Sequence, residues 1–399
     1  MSVLSDLDLL ARLVAFDTTS ATKRPTRPLG DFVCDYLDHS KIRIERFDCG
    51  DGQENLWFET GPEPTGDGAG LLLCGHVDVV PATEPEWTGD PFTLRIEGDR
   101  AIGRGACDMK AFDAIAINVL RAAAEAGGLE APLAVLLTCN EEIGTIGAGR
   151  FAEQWGDRPI PHRTIVGEPT SEQAVQGHKG HLSLSIEVGG RGCHTGFPDR
   201  GVNAIERTIP VLQALRDLRA SMVEERASSS DLFDATPFPV LTVAAVDAGS
   251  AINVMPDRCA LRVGARLLPG QSAAAFLPRL AAAIEAAGIS VEVREGLEHP
   301  IPTGDEPLPH DACLITATND TPAYAIDPTS PFLEEVRTIA GDVDGRGVNY
   351  GTDAGRLVPL GCRSVIWGPG DISVAHRPDE WISVEEMTRY RDRLERLVR

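Results

Sequence analysis

LLLCGHVD, residues 71–78, sets an apolar run directly against His76 and Asp78. The arrangement recurs at LAVLLTCNEE (133–142), TIVGEP (164–169) and SVIWGPGDISVAH (364–376). In an open α/β sheet, ligands gather outside the carboxyl ends of the strands, so polar residues at that point of several strands converge although far apart in sequence. His76, Asp108, Glu141 or Glu142, Glu168 and His376 are therefore candidate ligands of a two-metal hydrolytic centre.

The surrounding pattern is of the α/β kind. Residues 5–17 place Leu7, Leu10 and Val14 at helical spacing; after a polar break at 18–28, Phe32 to Leu37 continue that periodicity. Short apolar runs near 55–59, 71–74, 133–138 and 164–166 alternate with Ala-rich helical stretches such as 111–126. From about 175 to 296 the order changes to β-α-β-β-α-β, that of a ferredoxin-like sandwich: 181–188, 201–219, 239–246, 256–266, 271–287 and 289–293. The ligand-bearing pattern is expected to resume at 312–317 and 363–367. The sequence thus predicts an α/β catalytic metal-binding domain, a mixed sheet flanked by helices, over 1–174 and 297–399. A ferredoxin-like α+β domain is inserted at 175–296, with boundaries near Val175 and Leu297.

Composition narrows the partners. A chain of 399 residues exceeds one compact core, which agrees with two domains. A net charge of −23, with no long run of Lys or Arg, argues against nucleic acid. No stretch is long and apolar enough to cross a bilayer. The 9 cysteines show no CxxC spacing and several sit in apolar runs, which points to reduced thiols and a cytoplasmic location. Asp6 and Asp8 inside the first apolar segment do not fit a secretory signal. No GxGxxG or GxxxxGK[ST] follows the early strands, so a phosphate cradle is unsupported.

Each candidate ligand has a chemical reason. Two divalent ions a few ångströms apart need a bridging carboxylate and terminal N or O donors on each side. Two dications, three carboxylates and one hydroxide sum to formal neutrality, so such a site tolerates burial. Mixed imidazole and carboxylate ligands suit zinc, with cobalt or manganese able to substitute. Asp78 is placed to accept the hydrogen bond from the second nitrogen of His76. Asp108 precedes the helical stretch 111–126, where an Asp also serves as a cap. Of the adjacent Glu141 and Glu142, one is expected to be a ligand and one a base. His194 differs from the remaining histidines in lying in the Gly-rich turn GRGCHTGFPDRG.

Taken together, GHVDVV, GRGACDMK, NEE, GEPT and AHRPDEW resemble the dinuclear zinc amidohydrolases and exopeptidases, a family that includes acetylornithine deacetylase, succinyl-diaminopimelate desuccinylase, aminoacylase and carboxypeptidase G. The resemblance covers essentially the whole chain. It implies that His76 and Glu168 hold one zinc, Glu142 and His376 the other, and that Asp108 bridges them. It further implies that Glu141 is the general acid/base, that Asp78 orients His76, and that His194 reaches the partner subunit's active site in a homodimer formed through the inserted domain. By the same resemblance Lys179, Asn253, Arg266, Gly351 and Thr352 are substrate-binding groups. HKGHLSLSIEV, GVNAIE and GPGDISVAHRPDEW are most similar to acetylornithine deacetylase, and GTDAGR is also similar to the desuccinylase. The implied substrate is a small N-acyl amino acid, with N-acetylornithine leading. One departure concerns the substrate: VGAR, ending at Arg266, has Gly264 where deacetylase relatives often carry an acid.

Overall fold

A computed structural model describes residues 2–66, 68–294, 308–342 and 346–398. The chain divides into two compact units. One comprises Met1–Gly177, Ala325–Arg346 and Thr352–Arg399; the other comprises His178–Tyr324 and Gly347–Gly351.

The first unit is built on a six-stranded mixed sheet, in the order Arg43–Gly50, Gln53–Thr60, Leu133–Thr138, Leu71–His76, Arg163–Val166, Arg363–Ile366. The last four strands are mutually parallel. Their register puts His76 opposite Thr138, Cys74 opposite Val166, and Val166 opposite Ile366. The loops carrying the candidate ligands therefore leave the same edge. Leu71–His76 and Leu133–Thr138 are buried along their whole length, which explains why they lack polar alternation. Helix Asp6–Val14 buries Leu9, Leu10, Leu13 and Val14 and packs on helix Ala111–Ala126, while Ser5 caps its start by accepting the Asp8 N–H. Gly167 is required by close approach: a Cβ there would lie 2.1 Å from the Phe112 ring. Gly105 has φ +79°, the left-handed conformation that glycine adopts without strain.

The second unit shows the β-α-β-β-α-β order, with helices Ala204–Met222 and Ala273–Glu285. Its sheet runs Val240–Ala248, Arg258–Arg266, His181–Gly189, Cys313–Thr321, Val291–Arg294. Leu182, Leu184, Ile186 and Val188, at period two, bury one face against Val211, Leu215, Leu277 and Leu280. Cys313–Thr321 differs from expectation. Residues 312–317 do not resume the ligand-bearing pattern; the strand is a fifth member of this sheet, antiparallel to His181–Gly189 and parallel to Val291–Arg294. An apolar run reports burial, and it does not report which sheet buries it. The boundary expected near Leu297 lies outside the described residues, and the one expected near Val175 falls at Gly177/His178.

His178 belongs to this unit, is fully buried, and has Nδ1 2.9 Å from the Lys179 carbonyl. Burial pushes its pKa down to about 4. The unfolded chain therefore takes up this proton first, near the ordinary pH 6.5, and the folded chain only near 4. The stability is fully present above about pH 6.5 and is lost as pH falls toward 4, by about 2 kcal/mol between pH 7 and 5. Urea unfolding at both pH values is expected to show this loss in the unmodified chain and a shallower dependence in His178→Gln. Equal slopes would contradict it.

Candidate metal centre

The five expected ligands meet in the first unit. Ligand atoms of His76, Asp108 and Glu168 lie within 4.8 Å of one another, and so do those of Asp108, Glu142 and His376. Asp108 is common to both groups. Its two oxygens face different ways: Oδ1 is 3.1 Å from His76 Nε2, and Oδ2 is 3.2 Å from His376 Nε2. His376 Nε2 is also 3.0 Å from Glu142 Oε1. Asp108 is thus no helix cap; Lys110 occupies the cap position of Ala111–Ala126. Of the two adjacent glutamates, Glu142 is in the second group and Glu141 in neither.

Backbone hydrogen bonds hold the loops. His76 is the last residue of its strand, and its Nδ1 lies 2.9 Å from the backbone carbonyl of Asp78. That carbonyl, and not the Asp78 carboxylate at 3.7 Å, engages the ring. Nε2 is left to face Asp108, the arrangement second-sphere partners commonly impose on a ligand histidine. The Asp78 carboxylate instead accepts the N–H groups of Glu141 at 3.0 Å and Glu142 at 3.2 Å. It therefore places the next loop and only indirectly the imidazole. His376 has φ +61°, an uncommon backbone conformation for a residue other than Gly.

The electrostatics call for cations. Asp78, Asp108, Glu168 and Asp353 are all buried within this unit. Burial drives Glu141 and Glu168 well above the usual carboxylate range; repulsion from Glu168 adds to it at Glu141, and repulsion from Asp108 adds to it at Glu168. Burial alone would also raise Asp108, but hydrogen bonds from His376 and His76 hold it well below that range. Reciprocally, hydrogen bonds to Asp108 and Glu142 push His376 up to about 10. Burial opposes charge on His76, yet Asp108 raises it well above the ordinary imidazole value. In the chain alone, the two imidazoles are the groups that face the Asp108 carboxylate. The donor set, two imidazoles and three carboxylates sharing one bridging candidate, fits a pair of divalent ions.

Two neighbours escaped the sequence reading. Asp353 accepts a 2.6 Å hydrogen bond from Thr138, and burial raises it to about 6; GTDAGR contained it, but the pattern drew attention to Gly351 and Thr352. Glu380, in AHRPDEW, accepts the N–H groups of Cys107 and Asp108.

The expected substrate groups are dispersed. Thr352 lies in the first unit, fully buried, its hydroxyl accepting the Ala354 N–H. The others lie in the second. His194 and Asn253 are exposed and adjacent, with the Thr195 N–H donating to the Asn253 carbonyl at 3.1 Å. Gly351 approaches Thr321 so closely that a Cβ would lie 2.7 Å from its methyl. Lys179 is fully buried; its Nζ donates to the Thr236 carbonyl (2.6 Å), the Thr236 hydroxyl (2.9 Å) and the Phe238 carbonyl (3.0 Å). With its three donors engaged, Lys179 anchors the 236–238 segment. Arg266 pairs with Val240 in the strand ladder, but its side chain makes no hydrogen bond or ion pair among the described residues, and a Cβ on Gly264 would meet open space.

Comparison with known proteins matches this description. The model of peptidase family M20/M25/M40 matches residues 72–399, and the chain belongs to that family. It is a hydrolase of the family's α/β type. Over 398 residues it is 35% identical to an acetylornithine deacetylase of Myxococcus xanthus, covering 98% of this chain and 95% of the relative. Over 404 residues it is 32% identical to that of Proteus mirabilis (strain HI4320), with the same coverage. Among solved structures, the M20 family metallo-carboxypeptidase Sso-CP2 from Sulfolobus solfataricus shares the fold, with a TM-score of 0.79 at 17% identity and 99% of both chains covered. Among the described residues, no helix is long and apolar enough to cross a membrane.

Proposed function

We propose that the chain is a dinuclear zinc amidohydrolase that cleaves the acyl amide of an N-acyl amino acid, with N-acetylornithine, giving ornithine and acetate, the leading substrate. The observation that carries this reading is the sharing of Asp108 by two ligand groups with Glu141 beside them. His76 and Glu168 would hold one ion, Glu142 and His376 the other, and Asp108 both. When bound, the pair supplies Lewis acidity toward the acyl oxygen and toward water.

The chain's own residues do the rest. Glu141, carrying a carboxyl whose proton affinity is raised by burial, takes a proton from the attacking water and returns it to the departing amine nitrogen. Asp78 fixes the Glu141 backbone from which that carboxyl projects. Arg266, whose side chain faces no anion among the described residues, suits the substrate's α-carboxylate. His194 would stabilise the oxyanion from the partner subunit. An exposed stripe of Ile205, Ile209 and Leu212 on helix Ala204–Met222 supports a homodimer through the second unit. Similarity to acetylornithine deacetylases over nearly the whole chain supports the substrate, and cysteines that are all free thiols fit a cytoplasmic place of work.

Zinc-loaded protein assayed on N-acetylornithine, succinyl-diaminopimelate, a dipeptide panel and N-acetylated amines lacking a carboxylate tests the proposal. Turnover is expected to be fastest on N-acetylornithine and at least about 10-fold slower without the carboxylate, the loss of one charged hydrogen bond. Faster succinyl-diaminopimelate or dipeptide cleavage would overturn the substrate, and turnover indifferent to the carboxylate would overturn the role of Arg266.

A further inference from the structure

The segments bearing His76, Asp108 and His376 are joined beneath the ligands by one buried ion pair. Arg104 precedes Asp108 by four residues and Glu380 follows His376 by four. Each is 1% exposed. Arg104 Nη1 donates to Glu380 Oε2 at 2.6 Å and, at 3.4 Å, to the carbonyl of Arg377; its Nη2 donates to the carbonyl of Pro81 at 3.0 Å. The other oxygen of the carboxylate, Oε1, accepts the N–H of Cys107 at 2.9 Å and of Asp108 at 3.0 Å. The Gly103 N–H donates to the Glu380 carbonyl at 2.9 Å.

Stability is a weak reason for such a pair, because the desolvation of two buried ions roughly cancels their attraction. Its contacts suggest another. A bridging carboxylate must offer one oxygen to each ion, and in Asp108 the oxygens already face His76 and His376 separately. That orientation depends on the backbone at Cys107–Asp108, where two N–H groups converge on one charged acceptor.

We propose that Glu380 is a positioning residue of the metal centre: its carboxylate, fixed by Arg104, sets the backbone of Asp108 and through it the bridge between the two ions. Glu380 touches neither ion nor substrate and acts only through Asp108. The proposal rests on the two-metal reading above.

Zinc affinity measured by chelator competition, with cobalt spectra of the substituted protein, tests it without recourse to turnover. Glu380→Gln keeps an acceptor oxygen but loses the charge. Glu380→Asp keeps the charge opposite Arg104 but is one methylene shorter, out of reach of the two N–H groups. Both are expected to bind zinc about 10–100-fold more weakly, the usual effect of removing an outer partner of a ligand. Because Asp108 is shared, both equivalents should weaken and the cobalt bands of both should shift. Glu54→Gln removes an equally buried carboxylate paired with Arg46, away from the ligands; it is expected to lower Tm and leave zinc affinity unchanged. Zinc affinity within about twofold of the unmodified chain in whichever Glu380 variant folds, above all Glu380→Asp, would overturn the proposal and leave a structural ion pair. Failure of the unmodified chain to bind two zinc ions would instead overturn the reading on which it stands.

Discussion

Asp108→Ala is expected to empty both metal sites at once. The carboxylate belongs to both ligand groups, and its oxygens contact His76 on one side and His376 on the other. Removing an outer partner of a metal ligand costs about 10–100-fold in affinity, so removing a shared direct ligand should cost more at each site. Zinc content after dialysis measures it: the unmodified chain retains two equivalents and the variant close to none. Glu168→Ala is the internal contrast, because Glu168 belongs to the first group alone, and it should weaken one equivalent and spare the other. Equal loss of both in Glu168→Ala, or retention of both in Asp108→Ala, would remove Asp108 from the bridging role.

Glu141→Gln is expected to separate binding from chemistry. Glu141 lies beside the ligands but in neither group. Gln is nearly isosteric, donates the same backbone N–H to the Asp78 carboxylate through an unchanged main chain, and cannot carry a proton between water and the leaving amine. The variant should hold two zinc ions with unchanged affinity while kcat falls about 10²–10⁴-fold, the range for loss of a general acid/base. Loss of zinc would make Glu141 a ligand, and undiminished turnover would remove it from proton transfer.

The sheet and the candidate ligands at its edge were legible in the sequence for a common reason. Strands buried on both faces in a parallel sheet are continuous apolar runs, so Leu71–His76, Leu133–Thr138, Arg163–Val166 and Arg363–Ile366 stand out, and the polar residues at their ends are conspicuous. Pattern failed where two structures share one pattern. Cys313–Thr321 is apolar enough for either sheet, and only its pairing with His181–Gly189 decides between them. It also failed where function depends on which atom of a residue makes the contact. Asp78 was legible beside His76, yet its carbonyl holds the ring while its carboxylate reaches Glu141 and Glu142. The resemblance implied Lys179 as a group for substrate, and its hydrogen bonds to three oxygens of the 236–238 segment were not legible in the sequence. Glu380 carried no signal, since a loop glutamate near a histidine is ordinary until its partners, far away in sequence, are known.

The central claim is that Asp108 stands between two ions. Anomalous diffraction at the zinc edge from crystals of the zinc-loaded protein tests it directly. Two peaks are predicted, one against Asp108 Oδ1 with His76 and Glu168, the other against Oδ2 with Glu142 and His376. A single peak, or peaks that leave Asp108 outside both coordination spheres, would contradict the account.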